Sequence, residues 1–315
     1  GHYSRMMALA EMLETDFTCC FATRIFDYFQ REEINQVCDQ LIELPPDESH
    51  FESFLKHLSG DEIVVLDNYF FTTEYQKKIK KKGCKLVCID DIHDKHYVAD
   101  AVINHAEGLS MEDFSTEHYT NLYLGLDYAL LRKVFLTKGQ PINSQKKHDL
   151  LIGIGGSDPQ DITHQMVEVI HKLNQELQIA VLLGSSYKGK ADTHKTDKIN
   201  IFRGLKPSEV SGLMDNSKFG VFPASTLALE AIARRLPFAV GYFIDNQTQI
   251  YKGIQTKNIA ILLGNFKELT ENTLYDVLER LLSDTITSKK IIYNHEKSID
   301  RNSPSRIKTI FQNLS

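Results

Sequence analysis

The chain has 315 residues, 42% of them hydrophobic and 25% charged, the balance of a globular protein with a full core rather than of a disordered or coiled-coil chain. Its 36 basic and 42 acidic side chains leave a net charge of −6, and only 77–82 forms a basic block, so no nucleic-acid partner is expected. No apolar run approaches the roughly 20 residues of a membrane span, and the N-terminus lacks the pattern of a secretory signal, so the expected setting is the cytoplasm, without membrane insertion.

Short apolar runs alternate with amphipathic stretches along the whole chain, which predicts an α/β fold with parallel sheets. In the first half, strands are expected over 17–22, 63–66, 85–89, 101–103 and 122–124. Between them Met6, Leu9, Ala10 and Leu13 recur at helical spacing, and so do Ile34, Val37, Cys38 and Leu41. The five cysteines (Cys19, Cys20, Cys38, Cys84, Cys88) are odd in number and show no paired C-x-x-C spacing, so they read as reduced core thiols. The stretch 137–148 is rich in Gly, Pro, Asn, Ser and Lys, and marks a boundary dividing a domain over 1–138 from one over 146–315. A second series follows, with strands over 150–154, 179–183, 199–202, 219–222, 238–242 and 259–262. Helices are expected over 161–177, 207–214, 225–235 and 248–257, with a helical C-terminus. Oligomeric state is not readable from the sequence, and a monomer is compatible with it.

In open α/β sheets ligands bind beyond the carboxyl ends of the strands, so the residues just after each strand carry the information about function. The run Gly153-Ile154-Gly155-Gly156-Ser157-Asp158 brings small residues and backbone amides to such an edge, which suits a diphosphate or simply a tight turn. It has neither the Lys of a Walker loop nor the glycine spacing of a dinucleotide fingerprint. Ser225 and Thr226 open a helix, where hydroxyls and orphan amides either accept an anion or form a plain cap. Glu230 lies among Leu227, Ala228, Leu229, Ala231 and Ile232. A carboxylate there either receives hydrogen bonds, for example from ribose hydroxyls, or faces outward. Asn246 and Gln247 are uncharged hydrogen-bonders that either read a sugar or cap the next helix.

At the start, Gly1-His2-Tyr3-Ser4-Arg5 runs into a helix, and the positive end of the helix dipole favours the neutral, proton-accepting imidazole of His2, with Arg5 on the same face. Loose terminal residues are the plainer alternative. Asp67, Asn68 and Tyr69 follow a strand, facing a ligand or forming a turn. The group Asp90, Asp91, His93, Asp94 and His96 has metal-binding residue types without a recognised ligand spacing, and no metal or other cofactor is expected. His164 and His171, seven apart, are expected on the solvent side of their helix.

Taken together, the segments 1–10 (GHYSRMMALA), 66–70 (LDNYF), 88–106, 123–135, 152–159 (IGIGGSDP), 223–233 (PASTLALEAIA) and 245–247 (DNQ) resemble the UDP-sugar hydrolases of the pseudaminic acid pathway. These are relatives in fold of the N-acetylglucosaminyltransferase that completes the peptidoglycan lipid precursor. The resemblance implies a GT-B architecture, two Rossmann-like domains with the active site between them. It also implies hydrolysis of UDP-2,4-diacetamido-2,4,6-trideoxy-β-L-altropyranose to UDP and free sugar, by metal-independent attack of water at the anomeric carbon with inversion.

Carried over residue by residue, the general base falls on His2, and sugar binding on Arg5, Tyr69, Asn246 and Gln247. Nucleotide binding falls on Gly155, Gly156, Ser157, Ser225, Thr226 and Glu230. The family carries a strand and polar loop ahead of its Gly-His, roughly 15 residues, for which this sequence has no counterpart; the first helix is then expected to lack a central strand partner. A glycosyltransferase using the same UDP-sugar site, or a catalytically impaired UDP-sugar binding module, are the alternatives the sequence leaves open.

Overall fold

The computed structural model describes residues 1–24, 26, 28–139 and 145–315. The chain divides into two compact units, one formed by Gly1–Lys133 with Asn302–Ser315 and the other by Val134–Arg301. The sequence instead predicts a second domain running through 315. The last residues leave it because the apolar side chains of their helix, Ile307, Ile310 and Phe311, are buried in the first unit. Residues 140–144 of the expected linker lie outside the described residues.

The first unit runs α1 (His2–Leu13), β1 (Cys20–Thr23), α2 (Tyr28–Val37), β2 (Gln40–Glu43), α3 (His50–Lys56), β3 (Ile63–Leu66), α4 (Thr73–Lys81), β4 (Lys85–Ile89), β5 (His96–Tyr97), β6 (Ala101–Asn104), β7 (Ser115–Thr116) and β8 (Asn121–Leu124). Strands β3, β4, β6 and β8 form a four-stranded parallel sheet in that order, while β1 and β2 pair in a separate parallel ribbon. Strands β4 and β6 are buried on both faces, which is why they read as unbroken apolar runs. Thr72 caps α4 by accepting from the Tyr75 amide at 3.2 Å, and Lys78, Lys80 and Lys81 in the last turn suit the negative end of its dipole.

Among the described residues β1 and β3 are not joined by a ladder. Both line a cavity of about 1160 Å³ that Met6, Ala10 and Leu13 of α1 also face. Two local expectations are corrected here. Leu41 belongs to β2 rather than to a helical repeat, since α2 stops at Val37, and Cys20 is exposed on β1 rather than buried in a core.

After α5 (Lys133–Leu136), the second unit runs β9 (His148–Ile152), α6 (Ile162–Leu173), β10 (Ile179–Leu183), β11 (Ile199–Arg203), α7 (Pro207–Asp215), β12 (Ser217–Pro223), α8 (Thr226–Arg234), β13 (Phe238–Tyr242), α9 (Thr248–Lys257), β14 (Ile261–Asn265), α10 (Glu271–Ser283) and α11 (Thr285–Ser298). His148, assigned to the linker on composition, opens β9 and so lies in the sheet. The six strands are parallel in the order β11-β10-β9-β12-β13-β14. The chain builds outward from β9 to β11, then crosses to the other side of β9 and continues to β14. The reversal places a topological switch point between β9 and β12, the position at which such sheets bind ligands. Leu150, Ile152, Met166, Ile170 and Val181 are in the core beneath it, each of such side chains contributing about 1.5–3 kcal/mol by its burial. The last helix, α12 (Ser303–Gln312), packs on α1 in the first unit.

Candidate functional site

In the first unit, α1 begins where β3 ends. The first turn of the helix therefore stands against Asp67, and His2 Nδ1 lies 2.7 Å from Asp67 Oδ1. Arg5, one turn on, donates from Nε to Asp67 Oδ2 and from Nη2 to Oδ1, each at 2.7 Å, in the two-point geometry that suits a guanidinium and a carboxylate. Its Nη1 donates to Asp91 Oδ1 at 2.5 Å. Asp91 follows β4, the neighbour of β3 in the sheet, so two adjacent strand ends each supply a carboxylate to one arginine. Tyr69 donates its hydroxyl to Asp91 Oδ2 at 3.0 Å and stands edge-on to the His2 ring, 4.9 Å between centroids.

The electrostatics follow from burial. Arg5 is 4% exposed, and desolvation opposes its charge, but the hydrogen bonds and charges of Asp67 and then Asp91 outweigh that penalty and raise its pKa. Burial likewise works against ionisation of Asp91. The charge and hydrogen bond of Arg5 override it and hold that carboxyl below its usual range. His105, just after β6, is pushed down to about 4 by burial and then by Arg5, so it is uncharged near neutrality. Among the described residues, His2 Nε2 has no hydrogen-bond partner, and the imidazole lines the cavity beside β3. The sequence places Arg5 among sugar-binding groups, whereas the fold spends its guanidinium on two carboxylates.

Asp90 is committed to structure. It accepts from the Tyr97 hydroxyl at 2.6 Å, from Asn104 Nδ2 at 2.8 Å and from the His93 amide at 2.9 Å. Among the described residues no group of three His, Cys, Asp or Glu side chains is arranged to hold a metal ion. His164, expected to face solvent, has its Nδ1 2.7 Å from Nε2 of His194.

In the second unit the expected residues gather at the carboxyl edge of one sheet. The loop 153–158 leaves β9 and Ser225 follows β12, so they flank the switch point, and Asn246 and Gln247 follow β13, the next strand. Gly155 has φ +114°, in the left-handed region that only glycine enters without strain, and a side chain at Gly155 or Gly156 would meet open space. Asp158 accepts from the amides of Ile162 and Thr163 at 3.0 and 2.8 Å, which uses up these two orphan donors of α6. Any anion held by the loop therefore meets residues 155–157 rather than that helix end. Ser225 is the N-cap of α8, yet its side chain caps no amide, leaving the hydroxyl and first turn open to a ligand. Glu230 is buried on α8. Gln247 is also buried, and its Oε1 accepts from the Phe243 amide at 3.0 Å, so it braces its own loop.

Sequence reasoning missed the pairing of Asp67 with His2 and the whole role of Asp91. The available signal was an Asp following each of two strands that prove to be neighbours, at 66–67 and 89–91.

No family model matches the chain. It is 25% identical over 191 residues to the UDP-2,4-diacetamido-2,4,6-trideoxy-beta-L-altropyranose hydrolase of Campylobacter jejuni, a match covering 59% of this chain and 68% of that protein. It is 26% identical over 230 residues to an uncharacterised protein of Methanocaldococcus jannaschii, covering 68% of this chain and 47% of that one, so it spans about half the length of the archaeal relative. Among solved structures, the spinosyn forosaminyltransferase SpnP superposes with a TM-score of 0.69 at 10% identity, over 99% of this chain and 96% of that chain. The fold is GT-B, with two Rossmann-like domains, and the resemblance read from the motifs has a counterpart in the Campylobacter protein. No helix among the described residues is long and apolar enough to cross a membrane.

Proposed function

We propose that this chain hydrolyses a UDP-activated diacetamido-trideoxy sugar, UDP-2,4-diacetamido-2,4,6-trideoxy-β-L-altropyranose, to UDP and the free sugar, by attack of water at the anomeric carbon with inversion. The observation that carries this reading is the His2 imidazole, tied through Nδ1 to Asp67 and, among the described residues, without a hydrogen-bond partner at Nε2. Its likeness to the Campylobacter hydrolase supports the choice of substrate.

Such a displacement builds charge on the departing diphosphate while the ring becomes oxocarbenium-like, so it needs a base and leaving-group stabilisation. In this reading Asp67 accepts the Nδ1 proton of His2, and Nε2 takes the proton of the attacking water. The amides of Gly155, Gly156 and Ser157 and the start of α8 at Ser225 and Thr226 hold the diphosphate, and Glu230 receives the ribose hydroxyls. Tyr69, Asn246 and Gln247 bound the sugar, with Arg5 acting from behind His2.

A well-placed general base contributes roughly 10²–10⁴ in rate. The variant His2→Phe is therefore expected to lose at least about 10² in kcat while UDP affinity, measured by calorimetry, stays nearly unchanged. An unaltered turnover number removes His2 from the reaction. Incubation of UDP-sugar in ¹⁸O-water without any acceptor tests the reaction type: label in the free sugar means scission of the sugar carbon–oxygen bond by water. Label in UDP means attack on phosphorus, and sugar release only on adding an acceptor alcohol means a transferase. Either of these two outcomes overturns the hydrolase reading.

A further inference from the structure

The contacts around His2 close on themselves. His2 Nδ1 meets Asp67, Asp67 is gripped by Arg5, Arg5 reaches Asp91, Asp91 receives the Tyr69 hydroxyl, and the Tyr69 ring returns edge-on to His2. Four of the five links are hydrogen bonds of 2.5 to 3.0 Å, in three of which a carboxylate is paired with a guanidinium or imidazole, and Arg5 and Asp67 have almost no exposed side-chain surface. Such a ring has little freedom, because moving any member stretches two contacts.

The ring also decides a proton position. Arg5 Nη2 lies 2.9 Å from His2 Nδ1, on the same atom that Asp67 Oδ1 approaches at 2.7 Å. Guanidinium only donates and an ionised carboxylate only accepts, so Nδ1 cannot satisfy both. The shorter contact is to Asp67, and Nη2 already has Asp67 Oδ1 as an acceptor at 2.7 Å. A proton on Nδ1 therefore gains a hydrogen bond, whereas a bare Nδ1 places two acceptors face to face. What keeps Asp67 turned toward Nδ1 is Arg5, and what keeps Arg5 from swinging away is its third anchor, Asp91.

We propose that Asp91 is a positioning residue: by tying Arg5 to Tyr69 it closes the ring that holds the His2 imidazole in the Nδ1–H tautomer, with the Nε2 lone pair free to meet water. Asp91 does not touch His2; it acts through its two neighbours. Its place after β4, next to β3, makes the sheet itself the ruler that sets the spacing of the two carboxylates. His105 lies close enough to interact electrostatically with Arg5 and Asp91 but is uncharged, so it supplies no competing cation. The proposal rests on the reading of His2 as the base, but the tautomer itself does not.

The test uses the 315-residue chain labelled with ¹⁵N-histidine, the His2 signals being assigned by their loss in His2→Phe. Long-range ¹H–¹⁵N spectra of the native chain are expected to show the Nδ1–H form in excess by about tenfold, the factor one hydrogen bond is worth. In Asp91→Ala that excess is expected to fall to near parity, and in Asp91→Asn, which keeps an oxygen toward Arg5, to fall less. A native His2 in the Nε2–H form, or a tautomer ratio unchanged in Asp91→Ala, overturns the proposal. Should Asp91→Ala lose its native circular dichroism, the native and Asp91→Asn spectra still decide. With UDP-sugar, Asp91→Ala is expected to lower kcat by about the same tenfold, and pairing it with Tyr69→Phe is expected to cost no more than the larger single change. If the native chain releases no sugar, the hydrolase reading fails while the spectra still judge the ring.

Discussion

Gly184, the residue after β10, shows how a single atom governs the glycine loop. A Cβ there would stand 2.0 Å from the carbonyl oxygen of Gly156, a contact that only movement of the backbone can relieve. Gly184→Ala is therefore expected to keep its secondary structure but to displace the loop, weakening UDP binding at least about tenfold, the loss of one good backbone hydrogen bond to an anion. Titration calorimetry checks this, and native affinity in that variant would remove the loop from nucleotide binding. Gly155 and Gly156 are legible in the sequence as a glycine pair after a strand. Gly184 is not, since its constraint comes from a loop on the adjacent strand. Arg5 fails the same way: its spacing from His2 puts both on one helix face, but only the tertiary fold supplies Asp67 and Asp91 as its partners.

Elements were legible where an apolar run is bracketed by polar residues. Strands β4, β10 and β13 have the expected bounds because a strand covered on both faces is a continuous apolar run, β3 has them because its four apolar residues are bracketed by Glu62 and Asp67 although one face is only half-buried, and α9 begins and ends at polar residues. β2 escaped notice because it carries only two apolar residues, Leu41 and Ile42, and its ends are exposed. Burial at the element scale also predicts acid behaviour. His295 of α11 is fully buried, with Nε2 2.7 Å from the Ile259 carbonyl oxygen that accepts its proton, and burial pushes its pKa down to about 3, with Arg235 adding to the effect. The unfolded chain binds a proton at that imidazole near pH 6.5 while the folded chain does not. Stability is then full above about pH 6.5 and is lost as the pH falls toward 3, by a few kcal/mol over that span. His105 acts in the same direction between about pH 6.5 and 4. The urea midpoint is expected to drop between pH 7 and pH 5, and to drop less in His295→Gln, which keeps a donor for Ile259 but does not titrate. An equal drop in both would refute this assignment.

For the molecule as a whole, the alternation of strands and helices sufficed for an α/β chain in two halves, but not for the return of Asn302–Ser315 to the first unit. The apolar period of α12 says helix and nothing about which surface it covers. Ile307, Ile310 and Phe311 are buried there, and Lys308 Nζ reaches Asp16 at 2.6 Å. Ending the chain at Arg301 removes three such side chains, each of which contributes about 1.5–3 kcal/mol, a sum comparable with the whole stability of a domain. Limited proteolysis of that truncated chain is expected to cut Gly1–Lys133 readily and to spare Val134–Arg301. Equal resistance of the two would show that α12 is not holding the first unit together.

The cavity beside β3 has a mechanical consequence. Among the described residues no main-chain ladder bridges β1 and β3, so the ribbon of β1 and β2 with α2 meets the sheet of β3, β4, β6 and β8 across a seam that runs alongside α1. His2 sits at the end of that seam. The ring of side chains that grips it straddles the seam: Asp67, Tyr69 and Asp91 follow β3 and β4, whereas His2 and Arg5 ride on α1, whose Met7 and Ala10 pack with Ile34 of α2, so a shift of the ribbon would reach the imidazole through that helix.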